Sequence, residues 1–255
     1  MSEALLATQG LTRTFGGLVA VSDVTLTVQS REIVGLIGPN GAGKTTLFNL
    51  LVGLTKPTRG TVELEGRSVV GRKPHAIAAR GMTKTFQNVA LFMDSSVLDN
   101  VVTGALLRHP LAEARRAAHA ALDRVGLDAV AHRPAGDLSF PERARVEVAR
   151  ALATEPKILL LDEVMAALTP MEMEGVIALV RDLREREGLT FIVVEHHMKA
   201  VMALCERILV LNFGQLIAEG TPAEVSRNET VIDAYLGSEF RRALHGPGAV
   251  AEPAP

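Results

Sequence analysis

One glycine-rich stretch, GPNGAGKT at residues 38–45, has the spacing of a loop that binds phosphate groups. It follows the apolar segment EIVGLI and opens KTTLFNLLVG, so a strand would lead into the loop and a helix would leave it. Its glycines let successive backbone N–H groups face an anion at the positive end of that helix. Lys44 would reach the β- and γ-phosphates of a nucleotide, and the hydroxyl of Thr45 would bind magnesium. An ordinary glycine-rich turn is the alternative, and the strand–loop–helix context argues against it.

Two carboxylates end another apolar segment, KILLLDE, at Asp162 and Glu163. A buried strand of the same sheet would deliver both acids beside the phosphate loop. We expect Asp162 to serve the magnesium directly or through water, and Glu163 to orient or deprotonate an attacking water. Solvated acids at an ordinary strand end are the alternative, which the phosphate loop upstream disfavours.

Three single residues are weaker candidates when each is taken alone. Gln87 follows the strand-like segment MTKTF, His196 follows the apolar segment FIVVE, and Phe15 lies in TRTFGG. Gln87 by itself is better explained as a polar loop residue. His196 is one of seven histidines, and its neighbour His197 should point away from the sheet end if His196 points in. Phe15 is more often a core residue, and would contact a nucleotide only if its loop meets the phosphate loop.

The stretch LSFPE at residues 138–142 has the pattern of a helix start. Ser139 can cap the helix, and Glu142, three residues later, can complete a capping box. Pro141 fits in the first turn because its missing N–H would have no partner within the helix. The residues that follow, ERARVEVARALA, are mostly good helix formers.

Composition excludes several classes of protein. The 255 residues carry a net charge of −2 with a pI of about 6.4, which does not suggest a dedicated nucleic-acid binder. No uncharged apolar run approaches the roughly 20 residues of a membrane span, and MSEALLATQG lacks the basic start of a signal peptide. We therefore expect a cytosolic protein. The single cysteine, Cys205, cannot form an internal disulfide and is expected to be buried.

Apolar strand-like segments alternate with helical patterns, which predicts an α/β fold with a mostly parallel sheet. The early strands, through about Glu65, predict a small antiparallel β subdomain, and residues 89–150 an inserted α-helical subdomain. We expect one domain over 1–237 and a disordered tail over 238–255. The predicted strands are VTLTVQ, REIVGLIG, TVELEG, PKILLLD, GLTFIVVE and RILVLN, and the predicted helices are 44–53, 111–125, 142–153, 171–187 and 197–205.

These motifs, in this order over residues 5–237, resemble the ATP-binding cassette (ABC) ATPases, which have a P-loop NTPase core. The resemblance implies that Phe15 stacks on adenine, Glu163 is the catalytic glutamate and His196 contacts the γ-phosphate. It also implies that Gln87 is a further catalytic residue, near magnesium and the membrane partner, and that Ser139 binds the ATP held by a second cassette. The implied cofactors are ATP and Mg²⁺. The implied ligands of the nucleotide are Gly38, Pro39, Asn40, Gly41, Ala42, Gly43, Lys44, Thr45 and Thr46, and those of the metal are Thr45, Gln87 and Asp162.

The chain departs from the family at the stretch that resembles the LSGGQ signature. Pro141 stands at the fourth position in place of glycine, and Glu142 at the fifth in place of glutamine. Proline donates no backbone hydrogen bond, and a carboxylate beside a triphosphate is unfavourable. Thr169 also stands where many cassettes have aspartate. We therefore expect this stretch to bind the ATP of a partner cassette weakly, while the chain's own phosphate site is intact. In the alternative, the capping box engages Glu142 and both sites are competent.

More of the chain resembles one branch, the ATPase subunits of branched-chain amino acid importers. The stretches that carry this are FGGLVAVSDVTL, TKTFQNVALF, LDEVMAALTP, VEHHMKAVM, GTPAEV and VIDAYLG. The branch implies two membrane permease subunits, a second ATPase subunit in a heterodimer or homodimer, an indirect link to a substrate-binding protein, and no nucleic acid. It implies peripheral attachment to the cytoplasmic face of the inner membrane, with Gln87 and residues 89–137 meeting the permease.

Other transported cargoes, namely amides, small aromatic acids or lipid, remain the alternative function. Soluble cassette proteins that act on nucleic acid or ribosomes usually have two cassettes or a long coiled coil, and this chain has one cassette and no heptads. A P-loop kinase would lack the signature helix and His196.

Overall fold

The computed structural model describes residues 4–85, 90–166 and 168–235. The strands are β1 (Leu6–Phe15), β2 (Leu18–Val28), β3 (Ile33–Ile37), β4 (Arg59–Leu64), β5 (Arg67–Ser68), β6 (Met82–Lys84), β7 (Ile158–Asp162), β8 (Thr190–Val194), β9 (Arg207–Asn212) and β10 (Gln215–Gly220). The helices are α1 (Lys44–Leu51), α2 (Pro74–Ala78), α3 (Val97–Ala105), α4 (Leu111–Arg124), α5 (Phe140–Leu152), α6 (Pro170–Glu187), α7 (Met198–Leu204) and α8 (Pro222–Arg227), with 3₁₀ turns at Asp128–Val130 and Ala135–Asp137.

The central sheet has the order β10-β9-β3-β8-β7-β6. Five of these strands run parallel, and β10 pairs antiparallel with β9 at the edge. The mostly parallel sheet predicted from the sequence is thus confirmed. Every residue of β3, β7 and β8 is buried, which explains their continuous apolar runs.

Alternate residues of the central strands pack into two separate cores, because successive side chains of a strand point to opposite faces. Val34 and Leu36 of β3 join the core that contains α1 and the second sheet. Ile33 and Ile37 join the core formed with α3 to α7. The sheet therefore lies between an antiparallel β layer and a helical layer.

The second sheet is antiparallel throughout, with the order β2-β1-β4-β5. This confirms the predicted antiparallel layer. Leu6, Leu11 and Val21 of this sheet are fully buried and share a core with Phe48 of α1. The layer thereby holds the β1–β2 hairpin next to the start of α1.

The region predicted to be a helical insertion is described over residues 90–150. It contains α3, α4 and the start of α5, and no strand beyond an isolated bridge between Ser96 and Pro134. The domain limits at 150 and 237 stay predictions, and the predicted tail, 238–255, lies outside the described residues. Among the helices that the structure describes, none has the length and apolar character needed to cross a bilayer.

Several elements were not predicted individually, namely β1, β5, β10, α2, α3 and α8. Helix α3 is capped by Ser96, whose side chain accepts a hydrogen bond from the backbone N–H of Asp99. The amide of Asn100, which is fully buried, donates to the carbonyl oxygens of Phe92 and Ser96. Helix α2 has only five residues, too few for a periodic pattern. The predicted helix 142–153 begins two residues earlier, at Phe140.

Candidate nucleotide-binding site

The phosphate-loop sequence connects the end of β3 to the start of α1 and borders a cavity of about 510 Å³. That volume lies in the range of sites that bind small molecules and cofactors, about 300–1,000 Å³. The cavity walls also come from the β1–β2 hairpin, the ends of β7 and β8, and the β9–β10 turn. The lining residues are Phe15, Leu18, Val19, Ala20, residues 40–46, Glu163, His196, Phe213 and Gly214.

Two glycines of the loop are required by the approach of neighbouring backbone. Gly43 has a φ of 103°, and a Cβ atom there would collide with the carbonyl oxygen of Ala20. At Gly38 a Cβ atom would collide with the carbonyl oxygen of Leu211. The loop can therefore take its curled shape only with glycine at these two positions.

The ammonium group of Lys44 lies inside the loop. Its Nζ donates to the carbonyl oxygens of Gly38 at 2.7 Å and Pro39 at 3.1 Å. The carbonyl groups of Gly38 and Pro39 face the lysine. Neither residue lines the cavity, whereas residues 40–46 do. Burial lowers the pKa of Lys44, and the carboxylates of Glu163 and Asp162 oppose that shift. The three charges thus lie within mutual electrostatic reach.

Asp162 ends β7 and is almost completely buried. Its Oδ2 lies 3.4 Å from Nζ of Lys84, which also donates to Oδ1 of Asn49 at 3.0 Å. Burial raises the pKa of Asp162, and the charge of Lys84 opposes that rise. Sequence reasoning missed Lys84. The only sequence signal for it was a charged residue inside a short strand.

The chemistry of Asp162 and Thr45 fits magnesium. Oδ1 of Asp162 is buried and has no hydrogen-bond partner in the part of the chain that the structure describes. Thr45 is exposed in the first turn of α1, on the cavity wall. Magnesium prefers oxygen ligands and binds proteins through one or two carboxylates together with substrate phosphates. Gln87, the third predicted ligand, lies outside the described residues.

The structure brings together Glu163 and His196, two of the three predicted catalytic residues; the third, Gln87, lies outside the described residues. Nε2 of His196 lies 2.9 Å from Oε1 of Glu163, and both side chains line the cavity. Glu163 has a φ of 54°, which a non-glycine residue rarely adopts, and its N–H is held by the carbonyl oxygen of Val194 at 2.9 Å. His197 instead lies at the N-cap of α7 and does not line the cavity.

Glu195 links the segments that carry this pair and was also missed by sequence reasoning. It is almost completely buried, and its Oε1 accepts a hydrogen bond of 2.7 Å from the N–H of Met165. Its Oε2 has no hydrogen-bond partner among the residues described. Burial raises the pKa of Glu195 to about 7. Glu195 thereby ties the loop after Glu163 to the strand that carries His196.

Phe15 was expected to contact a nucleotide only if its loop meets the phosphate loop. This condition is met, since its hairpin and the phosphate loop line the same cavity. Its ring is half exposed, and the guanidinium carbon of Arg13 lies 4.3 Å from the ring centroid. Arg13 thus covers one face of the ring by a cation–π contact and leaves the other for a ligand.

Ser139 lies apart from this cavity, at the N-cap of α5. The capping box predicted with Glu142 is present, since the N–H of Ser139 donates to Oε2 of Glu142 at 2.8 Å. The hydroxyl of Ser139 donates to the same oxygen at 2.7 Å. These hydrogen bonds lower the pKa of Glu142, so the capped form is the carboxylate. Thr169, which replaces the family's aspartate, caps α6 with Glu172 in the same way.

The fold and cavity define a P-loop nucleotide-binding protein. The ABC transporter family profile matches residues 21–166, and the branched-chain amino acid ATP-binding cassette transporter profile matches residues 215–241. The chain therefore belongs to the ABC transporter ATPase family.

Relatives and solved structures agree with this assignment. The chain is 44% identical to the high-affinity branched-chain amino acid transport ATP-binding protein LivG of Salmonella typhimurium, over 93% of this chain and 99% of the relative. It is 37% identical to the lipopolysaccharide export system ATP-binding protein LptB of Escherichia coli, over 93% of this chain and 99% of that relative. A crystal structure of an ABC transporter cassette in an ADP conformation matches with a TM-score of 0.85 and 28% identity, covering 92% of this chain and 100% of that one.

Proposed function

We propose that this chain is a magnesium-dependent ATPase that powers uptake of branched-chain or related hydrophobic amino acids through partner membrane subunits. The observation that best supports hydrolysis is the 2.9 Å contact between Nε2 of His196 and Oε1 of Glu163, beside the phosphate loop. The cargo is proposed from the C-terminal profile match and from the 44% identity to LivG.

Each step of the proposed mechanism is assigned to a residue named above. The N–H groups of residues 40–46 and the ammonium of Lys44 bind the phosphates, and the free face of Phe15 stacks on adenine. Glu163 accepts a hydrogen bond from the attacking water and orients it, while His196 contacts the γ-phosphate and holds Glu163 in place. Thr45 and Asp162, with Gln87 as a further proposed ligand, would hold magnesium, which when bound would neutralise charge on the phosphates.

A glutamine substitution tests the hydrolytic role. Glu163→Gln should abolish steady-state hydrolysis, a loss of about a hundredfold or more, while ATP affinity changes little, because the amide cannot take a proton. Glu174→Gln, on the exposed face of α6, is the matched control and should hydrolyse ATP at the normal rate. Lys44→Ala should instead weaken ATP binding itself. Unchanged turnover in Glu163→Gln would contradict the assignment.

The proposed partners are two permease subunits, a second ATPase subunit in a heterodimer, and a substrate-binding protein that acts through the permease. Ser139 would approach the ATP of the second ATPase subunit. Peripheral attachment to the cytoplasmic face of the membrane follows from these partners. The proposed docking surface for the permease is a groove of about 430 Å³ lined by Thr85, Phe92, Thr103 and Arg150, among others. Phe92 and Leu106 expose apolar surface in the same region.

Crosslinking tests the docking surface. A cysteine introduced at Phe92 should crosslink to a cytoplasmic loop of the permease, whereas one at Ile232, also exposed but in the C-terminal segment, should not. The buried native Cys205 should not react. Crosslinks from Ile232 alone would show that the permease binds the C-terminal segment, and would contradict the proposed docking surface.

The cargo is tested by co-purification of the chain with its partner subunits from membranes, followed by reconstitution of the complex in vesicles. Leucine, isoleucine and valine should stimulate ATP hydrolysis by the reconstituted complex more than amides or aromatic acids do. Lipopolysaccharide export is the second candidate, supported by the 37% identity to LptB. Co-purified subunits that extract lipid and ignore amino acids would favour that function instead.

A further inference from the structure

Phe213 occupies a backbone position that disfavours a bulky side chain. It lies in the turn between β9 and β10, where Asn212 pairs with Gln215. Phe213 has a φ of 45° and Gly214 a φ of 77°. Two central residues with positive φ are the mark of a type I′ hairpin turn, whose first position favours asparagine, aspartate or glycine. An aromatic residue there is a conformational outlier, so the turn chemistry alone does not explain it.

The backbone of this turn is fixed to the walls of the nucleotide cavity. The N–H of Gly214 donates to the carbonyl oxygen of Ala42 in the phosphate loop at 2.9 Å. The N–H of Ser22 in β2 donates to the carbonyl oxygen of Gly214 at 2.8 Å. A Cβ atom at Gly43 would lie 3.4 Å from Cα of Gly214. The side chain of Phe213 is therefore carried by a rigid support beside the loop.

The side chain itself is 85% exposed, yet it lines the cavity. The cavity is polar along residues 40–46, where N–H groups and Lys44 lie, and apolar where Phe15, Leu18 and Val19 lie. A nucleotide has the same division, with charged phosphates at one end and a flat base at the other. Phe213 adds a fourth large apolar side chain to the lining, and these apolar residues suit the base.

We propose that Phe213 is a second aromatic contact for the nucleotide base, in addition to Phe15. This inference rests on the proposed function, since it assumes that the cavity binds ATP. Stacking of a base on an aromatic ring depends little on which base is present. Phe213 therefore strengthens the binding of nucleoside phosphates as a class and contributes nothing to the binding of phosphate chains that lack a base.

Calorimetric titrations on the full chain test this proposal in a Glu163→Gln background, which prevents turnover. Phe213→Ala should bind ATP and ADP about five- to tenfold more weakly, the loss of one aromatic contact. Binding of inorganic tripolyphosphate should not change. Phe213→Tyr should keep the parent affinity for ATP. Met171→Ala, 80% exposed in the first turn of α6 and away from the cavity, is the matched control and should bind ATP normally.

A second variant separates ligand binding from folding. Phe213→Asn installs the residue that a type I′ turn favours, so its melting temperature should equal or exceed that of the parent while its ATP affinity falls as in Phe213→Ala. ATP affinity within twofold of the parent in both variants would overturn the proposal. An equal loss for ATP and tripolyphosphate would also overturn it, because the residue would then act through the loop. A parent that binds tripolyphosphate but not ATP would overturn the proposed function together with this inference.

Discussion

Replacement of Lys84 by methionine tests the charge pairing beneath the phosphate loop. Nζ of Lys84 lies 3.4 Å from Oδ2 of Asp162, and the two side chains are only 7% and 2% exposed. Methionine keeps most of the apolar stem and removes the charge, so the carboxylate of Asp162 would remain buried without this partner. Burial already disfavours the ionised form of Asp162 and raises its pKa. Loss of Lys84 should raise that pKa further.

The expected loss in the free energy of unfolding follows from this burial. Removal of one partner from a buried ion pair costs about 3–5 kcal/mol, and removal of a hydrogen bond to a charged group about 1.5–3 kcal/mol. Lys44 also lies within electrostatic reach of Asp162 and offsets part of the loss. We therefore expect Lys84→Met to lose about 3 kcal/mol at pH 8.

The loss should also depend on pH with a defined sign. A carboxyl group whose pKa is higher in the folded protein than in the unfolded chain destabilises the fold when it is ionised. That penalty is complete above the folded pKa and disappears as the pH falls toward the unfolded value, about 3.9. The difference between Lys84→Met and the parent should therefore be smaller at pH 5 than at pH 8.

Urea unfolding at the two pH values provides the assay, and Lys157→Met is the control. Lys157 pairs with Glu65 at 2.6 Å, but these side chains are 51% and 48% exposed, so that change should cost no more than about 1 kcal/mol. Equal losses in the two variants, or a loss for Lys84→Met that grows on acidification, would refute the reasoning.

Three further predictions concern the phosphate loop and the start of α5. Gly43→Ala should lower the melting temperature and abolish ATP binding, because its Cβ would displace the loop from the carbonyl of Ala20; thermal unfolding and calorimetry would detect both. Ser139→Ala removes a capping box and should reduce the free energy of unfolding by about 1 kcal/mol in urea titrations. Pro141→Gly combined with Glu142→Gln should free the hydroxyl of Ser139 and raise hydrolysis at the partner's site, measured with this chain's own catalytic glutamate replaced; no gain would mean that the proline serves only as a helix start.

The parts of the site that sequence could predict are those set by short spacing within a loop or by the end of a strand. Lys44 and Thr45 follow from the glycine pattern of their loop. Glu163 and His196 each follow an apolar strand, and the carboxyl ends of parallel strands meet at one edge of the sheet. The contact between them could therefore be expected, and the structure shows it.

The residues that sequence could not predict depend on contacts between distant segments. Lys84 reaches Asp162 across 78 positions, and Glu195 reaches the N–H of Met165 across 30. Phe213 differs from any exposed hairpin residue only because its turn rests on the phosphate loop. Helix α3 was not predicted because Asn100, polar and buried, hides the apolar periodicity of that helix. Each of these contacts is set by the fold, and no local sequence pattern indicates it.

The walls of the nucleotide cavity come from both sheets, and this has a consequence for how the protein unfolds. Phe15, Leu18 and Val19 belong to or adjoin the antiparallel sheet, whereas Lys44 and Glu163 follow strands of the central one. A bound nucleotide would bridge the two layers, and a ligand at about a hundred times its dissociation constant adds about 2.7 kcal/mol to the unfolding free energy. Amide exchange along β1 and β2 should then slow together with exchange in α1, since local opening of the antiparallel layer would require the nucleotide to leave.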